Sequence, residues 1–284
     1  MKNFELISFA AADELAARVA GAWLDEIEKD RRTGKRHCVA LSGGRITQTF
    51  FTSVVEQAKV RKIGAGGAPS LPGNVHFFWA DERCVPPDDP ESNFKMANEL
   101  LFAPLKILAN QIHRIRGELS PDKAAEMATA EIRRVISTVS SPSSPPPPEE
   151  RAGARRSTAS NSTSPPLAPL ARGEGVGSQP VLDLIFLGMG EDGHIASLFP
   201  DAPAAVVNHP GPFLFIESSP KPPPRRVSLS YAAIAAARQV WVLISGAGKE
   251  KALRESLDFS EKTPLGRVIQ MRQNTRIFSE IRPK

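Results

Sequence analysis

Apolar positions along the chain fall into two alternating patterns. In "DELAARVAGAWLDEIEKD" they recur three or four residues apart, at Leu15, Val19, Ala22, Trp23 and Ile27, behind acidic residues. That spacing predicts an amphipathic helix with a favourable first turn. Next comes a short continuous apolar run, "CVALSGG", and then a helix through "TQTFFTSVVEQA". "NVHFFWA" repeats the strand pattern, a Pro-rich turn leads to "SNFKMANELLF", and "IHRI" reads as an edge strand. "SPDKAAEMATAEIRRVI" opens a further helix at Pro121, where the missing N–H costs nothing. Later, "VLDLIFLGMG" is the clearest central strand; "FLFIES", "RVSLS", "QVWVLIS" and "TRIFS" complete the set, with helices at "YAAIAAAR" and "KEKALRES". Continuous apolar strands alternating with helices predict a parallel sheet covered on both faces.

One stretch breaks the pattern. From about Ser137 to Pro180 the chain is rich in Pro, Ser, Gly and Ala and has no apolar period. Such a composition buries too little surface to offset its ordering entropy. We therefore expect one domain over residues 1–284, interrupted by a flexible insertion at about 137–180.

Composition narrows the class. A hydrophobic share of 41% over 284 residues is enough for a sizeable core. The two cysteines, Cys38 and Cys84, lie in or beside predicted core strands. This usage fits a reducing compartment and speaks against a disulfide framework or zinc site. The first residues carry no basic start followed by an apolar run, and no stretch is long enough to cross a bilayer. A cytoplasmic location is expected. The net charge of +5 is dispersed over "DRRTGKRH", "RAGARR" and "PPPRRV" with no interleaved aromatic platform. That argues against nucleic acid and suits the attraction of a small phosphorylated anion.

Ligands of open α/β sheets sit beyond the carboxyl ends of the strands. Four predicted strands end in polar signatures, three of them glycine-bearing: "ALSGGR", "FFWADER", "IFLGMGEDGH" and "VLISGAGKEK". In "LSGGR" the glycines and a helix N-terminus offer backbone N–H groups to an anion; the plain alternative is a tight turn. In "ADER", Arg83 can grip phosphate, or merely pair with a neighbouring carboxylate to order its loop. Lys249 stands at a helix start, where it serves a phosphate or only solvent. "GMGEDG" has the spacing of a dinucleotide loop but lacks the acidic residue some twenty positions on.

His194 has three readings. No other histidine stands three or four residues away, which disfavours a metal. A satisfied loop histidine stays open. Asp192, two residues earlier, favours the third reading, because a carboxylate holds an imidazole in one tautomer and suits it for general base work. No nucleophile elbow of the G-x-S-x-G type occurs, which leaves water as the nucleophile.

"GMGEDGHIASLFP", "FFWADERCVPPDDPESNF", "ALSGG" and "RVSLSYAAIAAARQVWVLISGAGK" together resemble the 6-phosphogluconolactonase family of the oxidative pentose phosphate pathway. The likeness covers nearly the whole chain outside the insertion. It implies an α/β fold, a three-layer αβα sandwich with a mostly parallel, Rossmann-like sheet, shared with glucosamine-6-phosphate deaminases and ribose-5-phosphate isomerases. It implies hydrolysis of 6-phospho-D-glucono-1,5-lactone without metal or organic cofactor. Carried over, His194 and Asp192 are catalytic, and Arg83, Ser42, Gly43, Gly44, Lys249 and, more weakly, Arg226 bind the phosphate. A backbone N–H of the Gly188–Gly193 turn is the expected oxyanion donor. The expected partner is a small sugar phosphate, bound by a monomer, with no nucleic acid and no membrane. Two features depart from the family. "SGGRITQ" stands where S-G-G-S-T-P is common, so that Arg45 either adds charge to the phosphate site or disturbs it. The insertion interrupts what is usually a direct passage from helix to strand, and it is expected to project from the opposite edge of the sheet. The rivals are a deaminase or isomerase of the same fold, which would carry an Asn–Glu pair where this chain has "SLFP", a sugar-phosphate sensor, and an inactive scaffold.

Overall fold

The apolar stripe of the first predicted helix forms one wall of the core. A computed structural model describes residues 3–61, 63, 70–137, 179–258 and 262–282. The chain opens with β1 (Phe4–Ser8), α1 (Ala12–Arg32), β2 (His37–Leu41), α2 (Arg45–Val60), β3 (Val75–Trp79) and β4 (Asp81–Arg83). The short α3 (Asn93–Ala97) runs into a wider helical turn, and α4 (Pro121–Ser137) follows. Beyond the Pro/Ser-rich segment come β5 (Leu184–Gly188), α5 (Ala204–Val207), β6 (Phe213–Ile216) and β7 (Arg226–Leu229). The chain continues through α6 (Tyr231–Ala236), β8 (Gln239–Ile244), α7 (Glu250–Leu257), α8 (Pro264–Met271) and β9 (Thr275–Ser279).

Six strands form one parallel sheet in the order β1-β9-β8-β5-β2-β3. Ala40 of β2 pairs with Phe78 on one side and Ile185 on the other. Strands covered on both faces need apolar residues at every position, and Leu184 to Leu187 are all buried. The β2–α2–β3 and β8–α7–α8–β9 crossovers travel in opposite directions along the sheet. Right-handed connections therefore put their helices on opposite faces. On the α1–α2 face, Trp23 meets Phe186 edge-on at 5.2 Å between centroids and Phe50 at 5.7 Å. Buried aromatic pairs of this kind hold the layer to the sheet. In α1, Leu15, Val19, Trp23 and Ile27 are buried as expected, whereas Ala22 is only half-buried and Ala16, Ala20 and Leu24 join the stripe.

Three predicted strands take other places. β6 and β7 do not enter the main sheet; with β4 they form a second, antiparallel sheet in the order β4-β7-β6. Ile216 pairs with Arg226 across a short Pro-rich connection, too short for the crossover that parallel pairing demands. The "IHRI" stretch makes a single bridge, Ile112 to Phe77, and turns away where the Gly117 N–H donates to the Ile115 carbonyl at 3.1 Å.

Apart from its ends, the insertion expected at about 137–180 lies outside the described residues. The chain enters and leaves it at the edge where β2 and β5 begin. Arg36, just before β2, donates to the Val135 carbonyl of α4 at 2.7 Å. Asp183, just before β5, accepts the Lys35 ammonium at 2.7 Å and the Cys38 N–H at 2.9 Å. No helix among the described residues is long and apolar enough to cross a membrane. At the other edge, β2, β3, β5 and β8 deliver their carboxyl ends side by side. The connections from β2 and β5 depart to opposite faces there, which makes the crevice between them the natural ligand position of the fold.

Candidate active site

The loop after β2 is tied down before it reaches the crevice. Ser42 is buried and its hydroxyl donates to the Phe186 carbonyl of β5 at 2.8 Å. A Cβ on Gly43 would stand 2.0 Å from the side-chain Oδ1 of Asn93, so only glycine lets the "SNF" segment close over this loop. Asn93 in turn donates its amide to the Asp81 carbonyl at 2.9 Å. After Gly44, α2 begins, and the first N–H groups of a helix have no acceptor within it. Those of Arg45 and Ile46 belong to residues that line the crevice.

The "DER" strand is shaped by a buried carboxylate. Ala80 links the two sheets, its N–H donating to Leu41 and its carbonyl accepting from Leu229, both at 2.7 Å. Glu82 then accepts the backbone N–H groups of Arg83, Asn93 and Phe94, each at 2.8 Å, and the Ser92 hydroxyl at 3.3 Å. Burial pushes its carboxyl up to about 7 against those donors. The bonds gather residues 82–94 into a closed loop, and that loop aims Arg83. The Arg83 guanidinium donates to the Glu91 carbonyl at 2.6 Å, and its Nε is buried without a partner among the described residues. Arg83 therefore orders its loop, and it also lines the crevice.

The third signature surrounds His194. The Gly190 N–H donates to the His194 carbonyl at 2.9 Å and the Gly193 N–H to the Gly190 carbonyl at 3.1 Å. These two groups, within the turn expected to hold an oxyanion, are spent on the turn itself. Asp192 Oδ1 lies 2.5 Å from His194 Nδ1 and accepts the His194 backbone N–H at 3.3 Å. A Cβ on Gly190 would come within 2.1 Å of that ring nitrogen and 2.6 Å of the carboxylate; glycine is what leaves room for the pair. Burial raises the Asp192 carboxyl, but the hydrogen bonds and charge of His194, with the charge of Lys221, together outweigh it and hold the group down to about 2. An ionised Asp192 beside Nδ1 places the ring proton there and leaves Nε2 as the basic atom. The ring rests against Phe199, 4.7 Å between centroids.

Lys249 caps α7 at the end of the turn after β8 and is half-buried. Burial, and then the charge of Arg45, lowers its pKa. Arg226 is the weakest of the expected ligands. Its guanidinium reaches the edge of the crevice, yet donates to the carbonyls of Lys221, Pro222 and Pro223 at 3.0–3.1 Å and stacks over Phe199. It anchors the Pro-rich connection. The structure brings His194, Arg83, the Ser42–Gly44 loop, Lys249 and the edge of Arg226 around one crevice, with Asp192 behind His194. Sequence reading missed Asn93 and Ser197, whose hydroxyl donates to the Asp81 carboxylate at 2.6 Å. An Asn directly after the helix-capping Ser92 was the one local signal for Asn93; nothing in the sequence announces the Ser197–Asp81 contact. The described residues contain no group of three or more His, Cys, Asp and Glu placed to hold a metal.

The family described as glucosamine-6-phosphate isomerases/6-phosphogluconolactonase matches residues 10–278. The 6-phosphogluconolactonase of Mycobacterium tuberculosis is 34% identical over 237 residues, covering 77% of this chain and 81% of that protein. Its counterpart from Treponema pallidum is 29% identical over 238 residues, 84% of this chain and 79% of the relative. Among solved structures, the 6-phosphogluconolactonase of Thermotoga maritima superposes with a TM-score of 0.67 at 26% identity, over 97% of this chain and 98% of that one. A monomeric glucosamine-6-phosphate deaminase superposes at 0.69 with 14% identity, over 97% and 96% of the two chains, which is a likeness of fold alone.

Proposed function

The chain belongs to the glucosamine-6-phosphate isomerase/6-phosphogluconolactonase family, and we propose that it opens 6-phospho-D-glucono-1,5-lactone with His194 as the general base. It is a lactone hydrolase of the pentose phosphate pathway, like the relatives that carry that name. One observation supports the assignment of the base above all: the 2.5 Å contact between His194 Nδ1 and Asp192 at the carboxyl edge of the sheet.

The Gly43–Gly44 loop, Lys249 and Arg83 hold the phosphate, so that binding at a remote group orients the lactone. The Ser42 hydroxyl gives its proton to the Phe186 carbonyl, so its side chain shapes the loop that presents Gly43 and Gly44. His194 Nε2 takes a proton from water as the water oxygen attacks the lactone carbonyl carbon. Collapse of the tetrahedral adduct breaks the bond from that carbon to the ring oxygen, and the imidazolium returns its proton to the departing oxygen. The product is the open-chain acid. Asp192 keeps the ring in the required tautomer and steadies its charged form. A general base of this kind is worth about 10²–10⁴-fold.

Both cysteines are free, which suits the cytoplasm. The test adds purified protein to freshly generated 6-phosphogluconolactone and follows acid release beside the spontaneous rate. We expect clear acceleration, and a fall of about 10²–10⁴-fold in kcat for His194→Ala. A parent no faster than buffer would overturn the activity, and a His194→Ala variant as fast as the parent would overturn the base. Ammonia release from glucosamine 6-phosphate would point to the deaminase branch of the family instead.

A further inference from the structure

We infer that Arg45 is a direct ligand of the substrate phosphate and sets the preference for a phosphorylated over an unphosphorylated lactone. The inference rests on the lactonase reading for its substrate, but on the geometry of two cations for its site.

Arg45 is the first residue of α2, immediately after Gly43–Gly44, and it is exposed at the lining of the crevice. From there it reaches across to the turn that follows β8: its guanidinium lies 3.8 Å from where a Cβ on Gly246 would stand. Lys249 closes the same turn. The two cations are near enough that the charge of Arg45 disfavours the charged form of Lys249. Neither side chain makes a hydrogen bond or ion pair with a described residue; the Lys249 carbonyl accepts only the Leu253 N–H of its own helix, at 2.8 Å. Of the acids that act on Lys249, Glu280 is already engaged, accepting from the Ser245 hydroxyl at 2.7 Å and the Gly246 N–H at 2.8 Å. Glu191 stands on the outer side, against Gly248.

Two like charges with no carboxylate bonded to either repel each other, and an anion that comes between them relieves that repulsion. A phosphate dianion suits the gap, because Arg offers a planar fork of donors and Lys a point charge. The open N–H groups at the start of α2 face the same space. The other two cations are partly employed: Arg226 gives its Nε and one terminal nitrogen to three carbonyls, and Arg83 gives one terminal nitrogen to Glu91 and keeps its other donors for the phosphate. Arg45 thus joins Lys249, Arg83 and the Gly43–Gly44 loop around the phosphate, as its clamp on the β2–β8 side of the crevice.

The experiment has two arms on folded protein. In the first, inorganic phosphate binding is measured by calorimetry for the parent, Arg45→Ala, Arg45→Lys and the control Lys251→Ala, which removes an exposed charge from α7 outside the crevice. We expect about a 10- to 100-fold weaker affinity for Arg45→Ala, partial recovery for Arg45→Lys and little change for the control. In the second, kcat/KM is compared between 6-phosphogluconolactone and D-glucono-1,5-lactone. Arg45→Ala should shrink that ratio by a similar factor, through KM. Equal phosphate affinity in parent and Arg45→Ala overturns the inference, as does a Lys251→Ala effect of the same size. Because the first arm needs no turnover, a protein that binds phosphate through Arg45 yet leaves the lactone untouched would sink the lactonase reading alone.

Discussion

His194 and Asp192 are held together twice over by one oxygen. Oδ1 of Asp192 faces the ring Nδ1 at 2.5 Å and accepts the backbone N–H of the same histidine at 3.3 Å. The second bond fixes the carboxylate on the turn, and the first uses that position to fix the ring. Asp192→Asn keeps the shape, but its amide can present a donor to Nδ1 and so favour the wrong tautomer. We expect kcat to fall by about 10²–10³-fold with KM nearly unchanged. The carboxyl is held down to about 2, so it stays ionised across any working pH. A pH–rate profile of the parent should therefore show no limb near pH 4 that Asp192→Asn removes; such a limb would mean that Asp192 itself exchanges the proton.

The four strand-end signatures were legible because a parallel sheet must put its carboxyl ends on one edge, and three were marked by glycine next to a charged residue, the fourth by the charged run Asp81–Arg83. The second sheet was not. Apolar runs such as "FLFIES" and "RVSLS" look the same in either sheet, and their pairing is decided by the length of the connection between Ile216 and Arg226. Roles that depend on partners distant in sequence were hidden for the same reason. Arg226 looks like a phosphate ligand until Lys221, Pro222 and Pro223 take its donors. Glu82 looks like a surface acid until it is buried under three backbone N–H groups.

Gly190 gives a test of the histidine's position that leaves every reacting group in place. A methyl group there would stand 2.1 Å from His194 Nδ1 and 2.6 Å from Asp192 Oδ1, so ring or turn has to move. Misplacement of a base by about 1 Å can cost 10²-fold. Gly190→Ala should lower kcat by about 10²-fold or more while phosphate affinity, set by Arg83 and by the loops after β2 and β8, stays near that of the parent. A variant with full kcat would show that the ring can sit elsewhere and still work.

Glu82 makes stability depend on pH. Its carboxyl titrates near 4.5 in the unfolded chain and near 7 in the fold, where burial disfavours the charge. The folded state then binds the extra proton between those values, so the contribution is fully present below about pH 4.5 and is lost as pH rises through about 7. Urea midpoints of the parent should fall over that window relative to Glu82→Gln, by an amount on the order of 1 kcal/mol per pH unit. At neutral pH the Gln variant should be weaker by about 1–3 kcal/mol, since its amide would set a donor against backbone N–H groups. It should also raise KM, because Arg83 and Asn93 lose the carboxylate that gathers their loop. Parallel pH curves for the two proteins would remove Glu82 as the cause.

The last prediction concerns the segment between α4 and β5. β5 sits between β2 and β8 in the main sheet, so the parts before and after the segment complete one core. Its entrance and exit are anchored near the start of β2, through Arg36 to Val135 and through Asp183 to Lys35 and Cys38. The crevice is at the opposite edge. Replacing residues 141–176 with a short Gly/Ser linker should therefore leave kcat and KM within about twofold of the parent. The change in closure entropy is small, about 0.6 kcal/mol for each halving of a flexible loop, so the urea midpoint should rise slightly or stay level. Asp183→Ala, in contrast, removes the acceptor of the Cys38 N–H and the Lys35 ammonium and should cost about 1–3 kcal/mol with little effect on turnover in the folded protein. Loss of phosphate binding on excision, with the sheet still folded by circular dichroism, would show that the segment reaches the site after all.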